Sequence, residues 1–357
     1  MPAANNDLCQ IIQNRLDTYV AEQANPFNVL RNNGKRGFLD ALLSETNSQN
    51  RPEITDASFS NTSKDVTLRL RYWQGLARDY ASGTITDPCV AGTTVEPLST
   101  DYTISGYSEA KKSHSLNAFR AYCESKNDVM SQYMIQLMFA VEQKMNADLG
   151  AELFAVGTLP YASDGTNSVI APKTLEFFSD FAAKSISPNA EMDLKFEFED
   201  AGIMMPPIVV GQGILRYYAK AAEIACCNDV GVNLDEVGGA GDSFMWYEDR
   251  DVGTTLGGAN NFFAWAPSMV QMLQQNKFSG DHAQQWNEDE LNGTIQNPIS
   301  GITHDITIRR DICGVGRDVN TTVTISNNYG IWTLPSDAYP AGDPLSGYLG
   351  AVQFIAS

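Results

Sequence analysis

No proline or glycine interrupts the stretch Asn117–Leu149. Met130, Met134, Leu137, Met138, Val141, Met145 and Leu149 recur there at i, i+3, i+4, i+7 spacing, the signature of an apolar stripe along one helix. Ile135 and Phe139 add apolar surface on another side. The reading is one helix from Asn117 to Phe154, about 38 residues and roughly 57 Å long. That is several times the ordinary length. Methionines make its surface adaptable. Such a helix can be the core of a large domain, but a stripe this long is expected to meet more than one body.

The segment before it reads differently. Val66, Leu68, Leu70 and Tyr72 alternate with Thr67, Arg69, Arg71 and Trp73, the period of a two-faced strand. Thr84–Val95 is rich in turn residues, and Tyr102, Ile104 and Tyr107 suggest a returning strand. An isolated two-stranded ribbon is marginal in water. Something else must therefore cover this β-excursion, either another domain or another copy of the chain.

Upstream, Leu8, Ile11, Ile12, Leu16 and Val20 have helical spacing, and Phe38, Leu39, Leu42 and Leu43 suggest a second, short helix. Downstream, Thr174–Ala183 and Ile214–Cys227 read as helices, and Pro267–Leu273 as the start of another. Ile208-Val209-Val210, Phe244–Tyr247 and Phe262–Trp265 read as strands. The tail from Ile302 is strand-rich, in His304–Arg310, Thr321–Ile325 and Tyr329–Leu334. Helices and strands mix as in layered α+β proteins.

Charge narrows the function. The net charge is -19, which disfavours tight nucleic-acid binding. Residues 1–120 contribute -1 of it and residues 121–357 contribute -18. The six cysteines form no CxxC pair and there are three histidines, so no metal site and no disulfide framework is expected. Met1–Gln10 lacks the basic and apolar regions of a secretory leader. No stretch reaches the roughly 20 apolar residues that cross a bilayer. A reducing cytoplasm is the expected place of synthesis.

Motifs for catalysis fail one by one. Gly34-Lys35 lacks the other residues of a phosphate loop, since Val29 and Arg36 stand where Gly and Ser/Thr are needed. Gly211-Gln212-Gly213 follows a strand, but Arg216 replaces the third glycine of a dinucleotide fingerprint. Glu248-Asp249-Arg250-Asp251 lacks calcium-loop spacing. Cys226-Cys227 reads as two small hydrophobes. His114, His282 and His304 have no nucleophile motif beside them. Trp246-Tyr247 and Phe262-Phe263-Trp265 read as core strands rather than a stacking platform for a sugar or base. No catalytic residue, cofactor or metal is expected.

The order of parts says more than any motif. An N-terminal arm precedes a β-excursion from Asn61 to Ala110, and the long helix follows. Then come a region holding Pro207-Ile208-Val209-Val210-Gly211, Asn261-Phe262-Phe263-Ala264-Trp265-Ala266-Pro267, and strands around Tyr329-Gly330-Ile331-Trp332. This order resembles the major capsid protein of tailed bacteriophages with the Hong Kong 97-type fold. The resemblance implies an N-arm over 1–60, an E-loop over 61–115, and the spine helix with the first part of a P-domain over 116–205. It implies an A-domain over 206–300 and C-terminal P-domain strands over 301–357. It further implies hexamers and pentamers closing an icosahedral shell around DNA, in a virion assembled in the host cytoplasm. Implied partners are a portal, a separate scaffolding protein and non-specifically held DNA, with no membrane.

In such shells the E-loop of one subunit lies over its neighbour. Here the loop and its flank carry Arg69, Arg71, Arg78, Lys111 and Lys112. Acid lies downstream, including Glu124, Asp128, Glu142, Asp148, Glu191, Glu197, Glu199 and Asp200. The expectation is that the basic loop docks on acidic surface of the adjacent subunit, each exposed pair contributing about 0–1 kcal/mol. The bland alternative is a solvated strand face. An acid-lined lumen would let packaged DNA slide. The rival readings are an encapsulin-like compartment, a tail or decoration protein, and an α/β enzyme.

Overall fold

The computed structural model describes residues 12–18, 36–44, 53–59, 65–73, 97–115, 126–156, 173–175, 178–180, 185–186, 198, 206–212, 245–249, 261–267, 269–278, 290–313, 318–333 and 351–356. The arm strands are β1 (Glu53–Phe59), β2 (Val66–Trp73) and β3 (Pro97–Ile104), followed by β4 (Gly106–Ser115). After the long helix Lys126–Val156 come β5 (Lys173–Leu175), β6 (Phe178–Asp180), β7 (Ser185–Ile186), β8 (Ile208–Gly211) and β9 (Met245–Glu248). Then follow β10 (Asn261–Trp265), β11 (Val270–Gln275), β12 (Glu290–Gln296), β13 (Thr303–Cys313), β14 (Asp318–Thr333) and β15 (Ala351–Ala356).

The main sheet is organised on β14. β13 pairs with it over Asp318–Ser326 and β11 over Asn328–Thr333, while β4 pairs with Asn320–Tyr329. Because β4 spans residues that each of the others also pairs, it runs along the opposite edge of β14. β12 continues the sheet beyond β13. The long helix lies across β4 and β14. Its 31 residues make about 46 Å of helix. Met134, Met138, Met145 and Leu149 are buried against Ile306, Val323, Ile325 and Tyr329, so the methionine stripe packs on the chain's own sheet. Tyr329 Oη donates to Asp148 Oδ2 at 2.6 Å. Residues 117–125 lie outside the described residues, and the helix ends at Val156 rather than Phe154.

A second sheet runs β5-β15-β10-β8-β9. β8–β9 and β5–β15 are parallel pairs and the rest are antiparallel. Two expected helices are strands. Thr174–Ala183 holds β5 and β6, because β15 imposes parallel pairing on residues 173–175. Pro267–Leu273 leads into β11, whose first four residues are all buried. A short run buried on both faces has no period with which to tell helix from strand. The expected helix Ile214–Cys227 lies outside the described residues. The sheets also cut across the boundary at residue 300: β11 and β12 join β13 and β14, and β15 joins the other sheet.

The β-excursion is two things. β1, β2 and β3 form a three-stranded arm, so residues 53–59 join the β-excursion expected to begin at Asn61. β4, expected as part of the same excursion, belongs to the main sheet. The break falls at Gly106, where a Cβ would sit 2.3 Å from the Tyr329 carbonyl oxygen. Only glycine lets β4 approach β14 there. The arm's inner face, Val66, Leu68, Leu70, Tyr72 and Ile104, is covered by Leu273 and Trp332. The Tyr72 and Trp332 rings are 6.3 Å apart. Tyr102 ties arm to body, its hydroxyl lying within hydrogen-bond reach of the Ile331 carbonyl and of Glu152 Oε1. Another domain of the same chain thus supplies the cover.

Candidate assembly surface

The arm's other face is polar because strand alternation puts every second residue of β2 there. Register places Arg71 between Glu53 and Ser99, Arg69 between Asp56 and Asp101, and Thr67 between Ser58 and Thr103. Arg69 grips Asp101 with two bonds, Nε–Oδ1 at 2.8 Å and Nη2–Oδ2 at 3.2 Å. That hydrogen bonding holds the Asp101 carboxyl below its ordinary value. Arg71 Nη1 lies 3.8 Å from Glu53 Oε2. The expected basic face therefore carries its own counter-charge: Arg69 and Arg71 sit among Glu53, Asp56 and Asp101. Among the described residues β1 pairs only with β2, and Ile54 on it is the exposed large hydrophobic, 42% accessible.

Lys111 and Lys112 lie on β4, not on the arm, and are exposed. Lys112 shares a face with Val323, which is buried under the helix. Its Nζ stands 4.2 Å from the centre of the Tyr133 ring. His114 stacks on the same ring at 4.3 Å, and burial with the nearby Lys112 lowers its pKa. Lys111 points to the opposite face of the sheet.

Glu142 is no surface contact, which corrects the sequence expectation. Its side chain has no exposed area, because its position falls inside the methionine stripe. Oε2 accepts from Arg36 Nη1. Oε1 accepts from Asn297 Nδ2 at 2.7 Å, Ser300 Oγ at 2.6 Å and His304 Nε2 at 3.1 Å. His304 Nδ1 faces Asn327 Nδ2 at 3.4 Å. Burial alone would raise the Glu142 pKa; the His304 hydrogen bond and the Arg36 charge outweigh it and hold the carboxyl below its ordinary value. Arg36 lies 5.6 Å over the Phe139 ring.

The same corner fixes the short helix Gly37–Leu42. Its Arg36 N-cap makes no side-chain cap bond. The free first-turn amides find remote acceptors instead: Phe38 N donates to Asp249 Oδ2 at 3.3 Å and Leu39 N to Asn146 Oδ1 at 3.0 Å. Asn146 Nδ2 in turn donates to Asp249 Oδ2 at 2.7 Å. Asp249, from the run that lacks calcium-loop spacing, is thus a buried cap. Gly37 is needed there, since a Cβ would lie 2.6 Å from the Glu248 carbonyl oxygen.

The chain is similar to solved subunits of bacteriophage capsids. The capsid asymmetric unit of Cyanophage A-1(L) matches at 10% identity over 90% of this chain and 92% of that one, with a TM-score of 0.46. The capsid of Cyanophage P-SCSP1u matches at 10% identity over 89% and 94%, TM-score 0.43. The mature capsid of bacteriophage PhiM1 matches at 8% identity over 82% of each chain, TM-score 0.41. At such identities and scores the likeness carries no argument about activity. No protein-family profile and no curated protein matches.

Asp128 lies on the long helix. Arg78, Glu124, Glu191, Glu197, Glu199, Asp200, His282 and Cys226-Cys227 lie outside the described residues. Phe262, Phe263 and Trp265 are wholly buried, and Phe38 stacks on Trp265 at 6.5 Å. Among the described residues no three His, Cys, Asp or Glu side chains converge as a metal site, and no helix is long and apolar enough to cross a membrane. Sequence reading missed Arg36, Asn297, Ser300 and His304 as partners of Glu142. The available signal was a carboxylate four residues after Met138 and three before Met145, within the apolar stripe.

Proposed function

We propose that this chain is the major capsid protein of a tailed bacteriophage, with a structural rather than catalytic role. Copies form hexamers and pentamers that close an icosahedral shell around double-stranded DNA. The observation that carries this reading is the arm: a three-stranded sheet with one face tied to the body and the other a ladder of charge and hydroxyl, with an edge strand, β1, that pairs on one side only among the described residues. Such a limb is suited to lie on another copy. The long helix sheathed on β4 and β14 gives it a stiff base. Because Arg69 and Arg71 share their face with three carboxylates, contact with a neighbour is read as matching of alternating charge and not as a basic loop on an acidic surface. Lys111, exposed on β4, is read as one cation that meets acidic surface of a neighbour. A portal, a separate scaffolding protein and non-specifically held DNA are the remaining partners.

Negative-stain microscopy of the purified protein at high concentration tests this. Closed shells with DNA-sized interiors are expected. Small shells filled with protein would favour an encapsulin-like compartment, and tubes or trimers a tail or decoration protein.

A further inference from the structure

The buried corner around Glu142 joins three segments that are far apart in sequence. Arg36 belongs to the stretch 36–44, and no residue before Glu53 is a member of any sheet among the described residues. Glu142 belongs to the long helix, Asn297 and Ser300 to the turn between β12 and β13, and His304 to β13. The helix and sheet are held together independently by the methionine stripe on Ile306, Val323, Ile325 and Tyr329. The stretch 36–44 is held by Phe38, Leu39 and Leu42, by the caps from Asp249 and Asn146, and by the Arg36–Glu142 pair.

Four donors surround the Glu142 carboxylate. Ser300 Oγ also receives Ile302 N at 3.3 Å. A protonated Glu142 would bring a further hydrogen among these donors and take from the buried Arg36 cation its nearest counter-charge, leaving the more exposed Asp40 at 3.6 Å. Turning Arg36 out to water would relieve this. That movement breaks no sheet hydrogen bond, since residues 36–44 make none.

We propose that Arg36 and Glu142 form an acid-released latch, which clamps residues 36–44 to the long helix and frees that stretch, on protonation of Glu142, while helix and sheets stay folded. The charged and titratable groups that face Glu142 are Arg36 and Asp40 from the short helix, Asp249 after β9, and His304 from β13. Asp40 is itself raised, by burial first, against the lowering by Arg36, with Glu142 and Asp249 adding to the rise. The latch holds whether or not the chain builds a shell.

Hydrogen exchange of the whole protein between pH 7 and pH 3, corrected for intrinsic rates, reads the latch, the change falling below the unfolded Glu142 value of 4.5. Protection of peptides covering 36–44 should fall about tenfold per pH unit once Glu142 titrates, while peptides covering 134–149 keep theirs. Glu142→Gln should show the loss already at pH 7. The pair Arg36→Met with Glu142→Met, apolar and of similar length, should keep 36–44 protected and abolish the pH response. If 36–44 and the long helix lose protection together at every pH, or if the double variant keeps the pH response, the latch is overturned. Should Glu142→Gln not fold, wild type and the double variant still decide.

Discussion

Glu142 is a charge without water, and its cost is met by Arg36 and three further donors. Arg36→Ala should therefore destabilise the protein by about 3–5 kcal/mol in urea titrations, the cost of stranding a buried charge. Gly37→Ala should cost about 1–3 kcal/mol, since the new methyl meets backbone at Glu248 rather than a movable side chain. Asp305 gives the opposite pH sign from Glu142. Burial pushes its pKa up to about 6, against hydrogen bonds from Lys277 N and Phe278 N. A raised carboxyl stabilises below its unfolded value of 3.8 and loses that contribution as pH rises through about 6. Glu142, being lowered, stabilises above its unfolded value and loses that contribution as pH falls below it. Stability of Asp305→Asn should lack the decline between pH 4 and 6, a slope of at most about 1.4 kcal/mol per pH unit. These residues were hard to read in advance for a physical reason. A charged residue in a stripe looks like a solvated break until its partner is known, and Arg36 lies 106 positions away from Glu142.

Elements with a period of their own were legible. The long helix, the short helix at Phe38–Leu42, β2, β8 and β10 follow from spacing, because each buries one face or a whole run. β5, β6 and β11 did not, since partner strands fix them. The two β segments expected at Thr321–Ile325 and Tyr329–Leu334 are one strand, β14, whose polar residues Asn327 and Asn328 are buried rather than a turn. Met138→Ala, at a wholly buried helix position, should cost about 2–5 kcal/mol, while Gln136→Ala on the exposed side should stay within about 0.5 kcal/mol. Thermal or urea unfolding of the two variants checks this. On the arm, exchanging partners as Arg69→Asp with Asp101→Arg keeps the ion pair but inverts the pattern shown outward. The monomer should unfold as before, and shell yield at low salt should drop. Unchanged yield would mean that this face meets solvent only.

At the scale of the molecule, the sheets are stitched from distant sequence. Ser113 and Thr322, hydrogen-bonded at 2.8 Å across β4 and β14, are 209 positions apart, and Tyr102 reaches Ile331 across 229. The long helix is local and can form in about a microsecond, but the strands that cover its methionines arrive only after such long loops have closed. Refolding from urea should accordingly show helix signal well before burial of Trp332 and Trp265, followed by stopped-flow circular dichroism and fluorescence. In that interval each chain presents a bare, adaptable stripe to its neighbours. The geometry that makes the finished subunit stiff also makes its birth a race between self-coverage and sticking to another copy, so the yield of soluble protein should fall as refolding concentration rises.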